Sequence, residues 1–377
     1  MKMIGSPNID ENYRKKGTSK AVEPYNNDII EQKYDEPPLE TVDFVLSTSG
    51  LQYYALKREN VLRTKIYKEI EVLKCAMQHN CKQICQYIDD GRFEDHVFIV
   101  MTLLGKDLSK LRREQKSQNF SINTSLRVGL LTLSAIRELH HISVISRDIK
   151  PSNFALGLNE DHRNIYIFDF GLARFYRDQD GSILPIRHHL GFRGTTRYAS
   201  LRAHERLELG IVENRILGRT DDLESWIYVM VELSSGTLLW KTSKIMKKKK
   251  KELKDQVYRA KLKIRSGPDR KQFFKNSLPI LDYIFTMIDG LTFDADPPYQ
   301  QIQYMFEKLM LEANVKWDDL YDWEEPAQFR QPLSADPITS TSIAVATYSR
   351  PLPLQNFILA TPTASTESSS LPNTSKK

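Results

Sequence analysis

Two short polar motifs, separated by one apolar run, constrain this chain more than any other feature. Ser146-Arg147-Asp148-Ile149-Lys150-Pro151-Ser152-Asn153 is followed by Asp169-Phe170-Gly171, whose aspartate lies sixteen residues after Asn153. Between them, Asn164-Ile165-Tyr166-Ile167-Phe168 has the β-branched and aromatic content of a buried strand. The order predicts a loop carrying an acid, a lysine and an amide, then a strand that delivers a second carboxylate to the same place. These residue types meet the needs of phosphoryl transfer, where spread negative charge calls for metal ligands, a cation and a proton acceptor. In that chemistry Asp148 orients the attacking hydroxyl and Lys150 sits on the γ-phosphate. Asn153 and Asp169 hold Mg²⁺ through hard oxygen ligands.

The rest of the chain narrows the class. Its 377 residues are enough for one two-lobed domain or two small ones, and 40% hydrophobic with 27% charged residues describes an ordinary soluble globular protein. A formal net charge of +6 permits acidic partners without arguing for nucleic acid. Three cysteines, at 75, 81 and 85, are too few for a disulfide framework. The expected compartment is therefore a reducing one, cytoplasmic with the nucleus left open. Cys75, His79, Cys81 and Cys85 lack the paired spacing of a zinc site, and the three cysteines read as buried thiols. No apolar run approaches the ~20 residues of a membrane span, and the first six residues form no apolar signal core. A monomer without a membrane or nucleic-acid partner is expected.

In chain order, residues 1–36 are polar and aperiodic and are expected to be disordered. Residues 41–46 and 51–56 read as strands of a hairpin turning through Ser47-Thr48-Ser49-Gly50, with Lys57 closing the second strand. A helix is predicted from about Thr64 to Met77, with Ile66, Ile70 and Leu73 on one stripe and Glu69 beside it. Residues 97–101 form a buried strand that runs into Thr102-Leu103-Leu104-Gly105. Leu126, Leu130, Leu133, Ile136 and Leu139 predict a long core helix, capped by Asn123 or Thr124 and ending near His140-His141, both read as helix-end residues. Residues 326–377 hold seven of the 17 prolines and 16 Ser or Thr, the composition of a disordered tail.

These motifs resemble those of the eukaryotic protein kinases, whose catalytic loop reads His-Arg-Asp and whose metal loop reads Asp-Phe-Gly. The resemblance implies an α+β, two-lobed fold. Residues 37–104 would form a small β-rich N-lobe with the hinge, and residues 105–325 a larger helical C-lobe. It implies that Lys57, in Ala55-Leu56-Lys57, holds the α- and β-phosphates of ATP and is positioned by Glu69. Met101 would guard the back of the nucleotide pocket, and the backbone of Thr102 and Leu104 would hydrogen-bond adenine. ATP and Mg²⁺ are the implied cofactors. Gly194-Thr195-Thr196-Arg197-Tyr198-Ala199-Ser200 resembles the casein kinase I group, and the preceding Gly191-Phe192-Arg193 its tau-tubulin kinase-like branch. His204-Glu205, the run from Asp221 to Trp226, and Tyr321-Asp322-Trp323-Glu324 are similar to the same branch. In that group basic residues form an anion pocket, here matched by Arg197 and Lys244, that favours acidic, already phosphorylated or cytoskeletal protein substrates. Arg197 reads equally well as the structural partner of a carboxylate. Residues 247–251, five lysines, read as a solvated face. Asp222 would open a buried helix and hydrogen-bond the catalytic-loop backbone.

Three departures stand beside these matches. Tyr34-Asp35-Glu36-Pro37-Pro38-Leu39 occupies the place of the Gly-rich phosphate loop; prolines lack amide donors there, and two carboxylates repel phosphate. The first strand of the N-lobe is missing with it. Ser146 replaces the catalytic-loop histidine, an expected loss of packing. Residues 211–218 resemble an insertion, since excising them leaves Leu-Gly-Arg-Thr-Asp-Asp. Two functions follow: a serine/threonine protein kinase, or a pseudokinase scaffold that keeps the fold and binds ATP weakly or not at all.

Overall fold

The computed structural model of the chain describes residues 40–46, 53–62, 64–178, 180–184, 194–208, 217–241, 250–292 and 294–324. The chain divides into two compact units, Met1–Thr341 and Ser342–Lys377, and every described residue lies in the first. Outside the described residues fall residues 1–36, the position of the Gly-rich loop, the Ser47–Gly50 turn, Gly191-Phe192-Arg193, most of the 211–218 segment, Lys244, residues 247–249 and the tail.

The first lobe is built on β1 (Glu40–Leu46) and β2 (Tyr53–Asn60), followed by helix α1 (Ile66–Gln78) and the strands β3 (Tyr87–Phe93) and β4 (His96–Thr102). They form an antiparallel sheet in the order β1-β2-β4-β3. Lys57 does not end β2, as its sequence suggested. It pairs with Val42 of β1 and Ile99 of β4, and the ladder to β4 continues through Asn60. The extra length comes from His96, Val97 and Phe98, which supply partners for Arg58, Glu59 and Asn60. Helix α1 buries Ile66, Glu69, Ile70, Val72, Leu73 and Ala76, so its acid lies on the same face as its aliphatic stripe.

The second lobe is mainly helical. It begins with α2 (Leu108–Glu114), whose N-cap Asp107 accepts from the Lys110 amide at 2.9 Å. Helix α3 (Ile122–His141) is capped by Ser121, not by Asn123 or Thr124; the Ser121 hydroxyl accepts from the Thr124 amide at 3.2 Å. Four short strands follow: β5 (Val144–Ile145), β6 (Phe154–Leu156), β7 (Ile165–Ile167) and β8 (Arg174–Phe175). β5 pairs with β8 and β6 with β7, which ties the two polar motifs into one framework. Then come α4 (Leu201–Glu208), α5 (Arg219–Ser235), α6 (Lys250–Lys263), α7 (Gly267–Phe274), α8 (Ile280–Asp289) and α9 (Tyr299–Glu312). Helix α5 is buried on every face from Arg219 to Ser234, making it the axis of this lobe. The architecture is α+β and two-lobed, as the sequence predicted. Among the described residues no helix is long and apolar enough to cross a membrane.

Residues 317–324 strap the end of this unit onto α3. Arg127, fully buried, donates to the carbonyls of Trp317 at 3.3 Å, Asp319 at 2.6 Å and Leu320 at 2.8 Å, and its guanidinium stacks 3.8 Å from the Tyr321 ring. Asp322 accepts from both the amide and the hydroxyl of Ser121 at 2.6 Å.

Candidate active site

The strand lysine and the helix acid meet. Lys57, only 5% exposed, places Nζ 2.9 Å from Glu69 Oε2 and 3.5 Å from Asp169 Oδ1. The other Glu69 oxygen accepts from the Phe170 amide at 3.3 Å, so one carboxylate joins α1 to the Asp-Phe-Gly turn. Burial raises the Glu69 carboxyl above its ordinary value, and the Lys57 charge opposes that shift. Phe170 is sunk in the core at 1% exposure, while Asp169 takes a left-handed backbone angle, φ 63°. The buried ring thereby turns the aspartate the other way, toward Lys57.

The loop of residues 146–153 hangs on α5. Asp222 accepts from the Ser146 amide at 2.7 Å, the Arg147 amide at 2.8 Å and His140 Nε2 at 2.9 Å. Placing this carboxylate in the first turn of α5 sets it against the positive end of the helix dipole. The other His140 nitrogen is hydrogen-bonded to the Tyr299 hydroxyl, so His140, read from sequence only as a helix end, is a link between α3, α5 and α9. Ser146 is buried, and its hydroxyl accepts from the Asp148 amide at 3.3 Å. The serine thus gives the loop a hydrogen bond where the sequence showed only lost packing. Arg147, at φ 64°, donates through Nε to the Leu172 carbonyl at 2.7 Å, binding the loop to the chain after Gly171.

Asp148, Lys150 and Asn153 converge. Asp148 Oδ1 accepts from the amide and the hydroxyl of Thr195, both at 2.8 Å, and Oδ2 from Lys150 Nζ at 2.7 Å. Asn153 donates its amide nitrogen to the Asp148 carbonyl at 3.0 Å, which leaves its amide oxygen for another partner. The Asp169 carboxylate is 39% exposed. Two hard oxygens suit Mg²⁺, which takes one or two protein ligands and fills the rest of its octahedron with water and phosphate. The donor set fits that ion. Among the described residues no cluster of three or more His, Cys, Asp or Glu could hold a metal, and Cys75, Cys81 and Cys85 are free thiols. Burial pushes the Cys81 thiol up to about 12, far from a thiolate ligand.

At the proposed hinge, Met101 is buried at the end of β4. The Thr102 amide is committed to the Gln86 carbonyl at 3.0 Å, while its carbonyl accepts the weak Cys85 thiol donor at 3.5 Å. The adenine contact expected of Thr102 therefore falls on the carbonyl alone. Leu104 is partly buried against the core.

The segment after Gly194 rests on side chains from below. Trp240 donates to the Arg197 carbonyl at 2.9 Å, Tyr198 donates to Glu232 at 2.5 Å, and Ser200 donates to Asp221 at 2.7 Å. Glu232 is fully buried and faces three cations: Lys241 at 2.9 Å, Arg112 at 3.6 Å and Arg197 at 3.7 Å. Arg197 thus has the carboxylate partner that one of its two sequence readings required. Sequence reasoning missed Glu232 and Lys241, because no local pattern marks a charge whose partners lie on three other segments.

Residues 51–294 match the family described as Protein kinase domain. A probable serine/threonine-protein kinase of Dictyostelium discoideum is 34% identical over 271 residues, covering 72% of this chain and 51% of that protein. The serine/threonine-protein kinase spe-6 of Caenorhabditis elegans is 29% identical over 295 residues, covering 78% and 74%. A putative serine/threonine-protein kinase of the same worm is 30% identical over 295 residues, covering 75% and 77%. The chain spans about half the length of the first of these relatives and about three quarters of the other two.

Proposed function

The chain belongs to the protein kinase family, and from that premise we propose that it transfers the γ-phosphate of ATP to serine or threonine hydroxyls of proteins. One observation carries this reading: Lys57 stands between Glu69 and Asp169, at 2.9 and 3.5 Å. A phosphate-binding cation, the acid that orients it and a metal carboxylate are assembled in a single cluster drawn from β2, α1 and the Asp-Phe-Gly turn.

Asp148 is the proton acceptor in this reading. An ionised carboxylate offers about four lone-pair directions. Thr195 fills two on Oδ1 and Lys150 one on Oδ2, so the open direction belongs to Oδ2. A substrate hydroxyl entering there gives its proton to Oδ2, beside the Lys150 ammonium that would meet the transferred phosphate. Mg²⁺, held by Asn153 and Asp169 when bound, would neutralise charge on the phosphates. Lys57 orients the phosphates from the opposite lobe.

The finer reading is a casein kinase I-like enzyme of the tau-tubulin branch that prefers acidic or phosphorylated protein substrates and works in the cytoplasm. The Glu232 cluster supports the substrate class. Three cations share one carboxylate, and Arg197 and Lys241 each keep about a quarter of their side-chain surface in solvent. An acidic or phosphorylated acceptor would complement that excess positive charge. Lys244 belongs to the same proposal by sequence alone. The competing scaffold reading draws on the prolines and acids at residues 35–38, which replace the phosphate loop.

Labelled phosphate transfer to an acidic peptide tests the reading. The expected loss on Asp148→Asn is about 10²–10⁴-fold, the usual worth of a positioned general base. Transfer no greater than that of Asp148→Asn would count against a kinase. A thermal shift with Mg-ATP that disappears in Asp169→Ala would exclude a scaffold that does not bind nucleotide.

A further inference from the structure

The residues that carry Arg197 and Tyr198 are centred on a lysine that no sequence motif marks. Lys261, on α6, is fully buried. Its Nζ donates to the Ala199 carbonyl at 2.5 Å and the Thr196 carbonyl at 3.1 Å. His204 Nε2 lies 3.2 Å from that nitrogen and 3.2 Å from the Thr196 carbonyl oxygen. The rings of Tyr228 and Trp240 cover the head group, with centroids 4.8 and 5.2 Å away. Since Trp240 also donates to the Arg197 carbonyl, three carbonyls within four residues bond to one platform.

Burying an amine is costly. Desolvation holds Lys261 well below the ordinary lysine value, with Glu224 opposing and Arg265 adding to the shift. An aliphatic side chain would fill the same space without that cost, so what distinguishes a lysine here is its donors. Those donors fix the Thr196 carbonyl, one peptide away from Thr195. Thr195 in turn places two hydrogen bonds on Asp148 Oδ1. A hydroxyl that reaches Oδ2 therefore meets a carboxylate whose other oxygen is held by this backbone.

We propose that Lys261 is a positioning residue for the protein acceptor: it holds the Thr195–Ala199 backbone so that the acceptor and Asp148 share one register. The inference rests on the kinase reading and deepens it. It predicts a division of effects. Lys261→Met keeps volume and removes the donors. Its kcat/KM for an acceptor peptide should fall about tenfold or more, while the KM for ATP and peptide-free ATP hydrolysis stay within about twofold. Lys261→Arg, which keeps donors, should recover most of the loss. Equal losses in both reactions would reduce Lys261 to a structural role, and no loss in either would overturn the proposal outright.

A second measurement separates this inference from the reading beneath it. Should the wild-type chain transfer no more label than Asp148→Asn, the kinase reading has failed. Hydrogen exchange at amides 195–201 then decides for Lys261. Faster exchange in Lys261→Met over that segment, with α3 and α5 unchanged, is expected; unchanged exchange would overturn the proposal. Should Lys261→Met not fold, Lys261→Gln, whose amide sits on a shorter stem with two donors in place of three, carries both measurements with the same expected direction.

Discussion

At the scale of single residues, the site depends on backbone angles as much as on charges. Gly194 has φ 102°, and a Cβ added there would lie 2.6 Å from the Arg147 carbonyl oxygen. Only glycine meets both conditions. Gly194→Ala should lower stability by about 1–3 kcal/mol. By moving Thr195 off Asp148, it should also lower acceptor phosphorylation about 100-fold. Urea unfolding and initial rates measure the two effects; a wild-type rate would show that the Thr195 contact is dispensable. Asp148, Asn153 and Asp169 were legible from sequence because their spacing is local: one loop and one hairpin bring them together. Glu232, Lys241 and Lys261 were not. Their roles are set by cations, carbonyls and a carboxylate from distant segments, and a buried lysine in a lysine-rich helix has the same local sequence as a solvated one. His140 fell between these cases, visible as a helix end but not as a partner of Asp222.

At the scale of elements, the junction of the Gly194–Ser200 segment with α4 and α5 is built from groups that resist charge. Burial, with Lys261 and Lys254 adding to it, holds His204 down to about 3. Burial also raises Asp221 to about 6, against the pull of Arg202 and of hydrogen bonds from Ser200 and Gly218. The signs are opposite. His204 favours the fold above its unfolded value of 6.5 and loses that contribution as pH falls toward 3. Asp221 favours the fold below 3.8 and loses that contribution as pH rises through about 6. The stability difference between wild type and His204→Asn should therefore shrink by about 1.6 kcal/mol from pH 6.5 to pH 5, the slope rising toward about 1.4 kcal/mol per pH unit below 6.5. Urea unfolding at both values checks it, and a pH-independent difference would show His204 to be solvated. The cap of α3 gives a simpler expectation. Ser121→Ala removes a hydroxyl that caps the helix and bonds Asp322, and should cost about 1–2 kcal/mol. The helix itself was read from sequence to within a turn. Its cap was misplaced because Asn123 and Thr124 are also capping types, and only the bond from Thr124 back to Ser121 separates them.

At the scale of the whole molecule, the two lobes were implied by the resemblance to the protein kinases. The strap that closes the second lobe was not, because its energy lies in a buried arginine meeting three carbonyls. A chain ending after Glu324 keeps the strap and serves as the reference. One ending after Asn314 removes the three acceptors of Arg127 together with the Tyr321 ring stacked on it, and should lose about 3 kcal/mol or more. Calorimetry of the two truncations distinguishes the outcomes; equal midpoints would remove the strap from the account.

Asp222 has a consequence for synthesis. The amides it holds belong to Ser146 and Arg147, which leave the ribosome 76 and 75 residues earlier. At ordinary elongation rates that interval is about 4–15 s. Throughout it the catalytic loop exists without the carboxylate that sets its shape. The nascent chain therefore carries Asp148, Lys150, Asn153 and Asp169 before their loop has its support, and gains it only when α5 arrives.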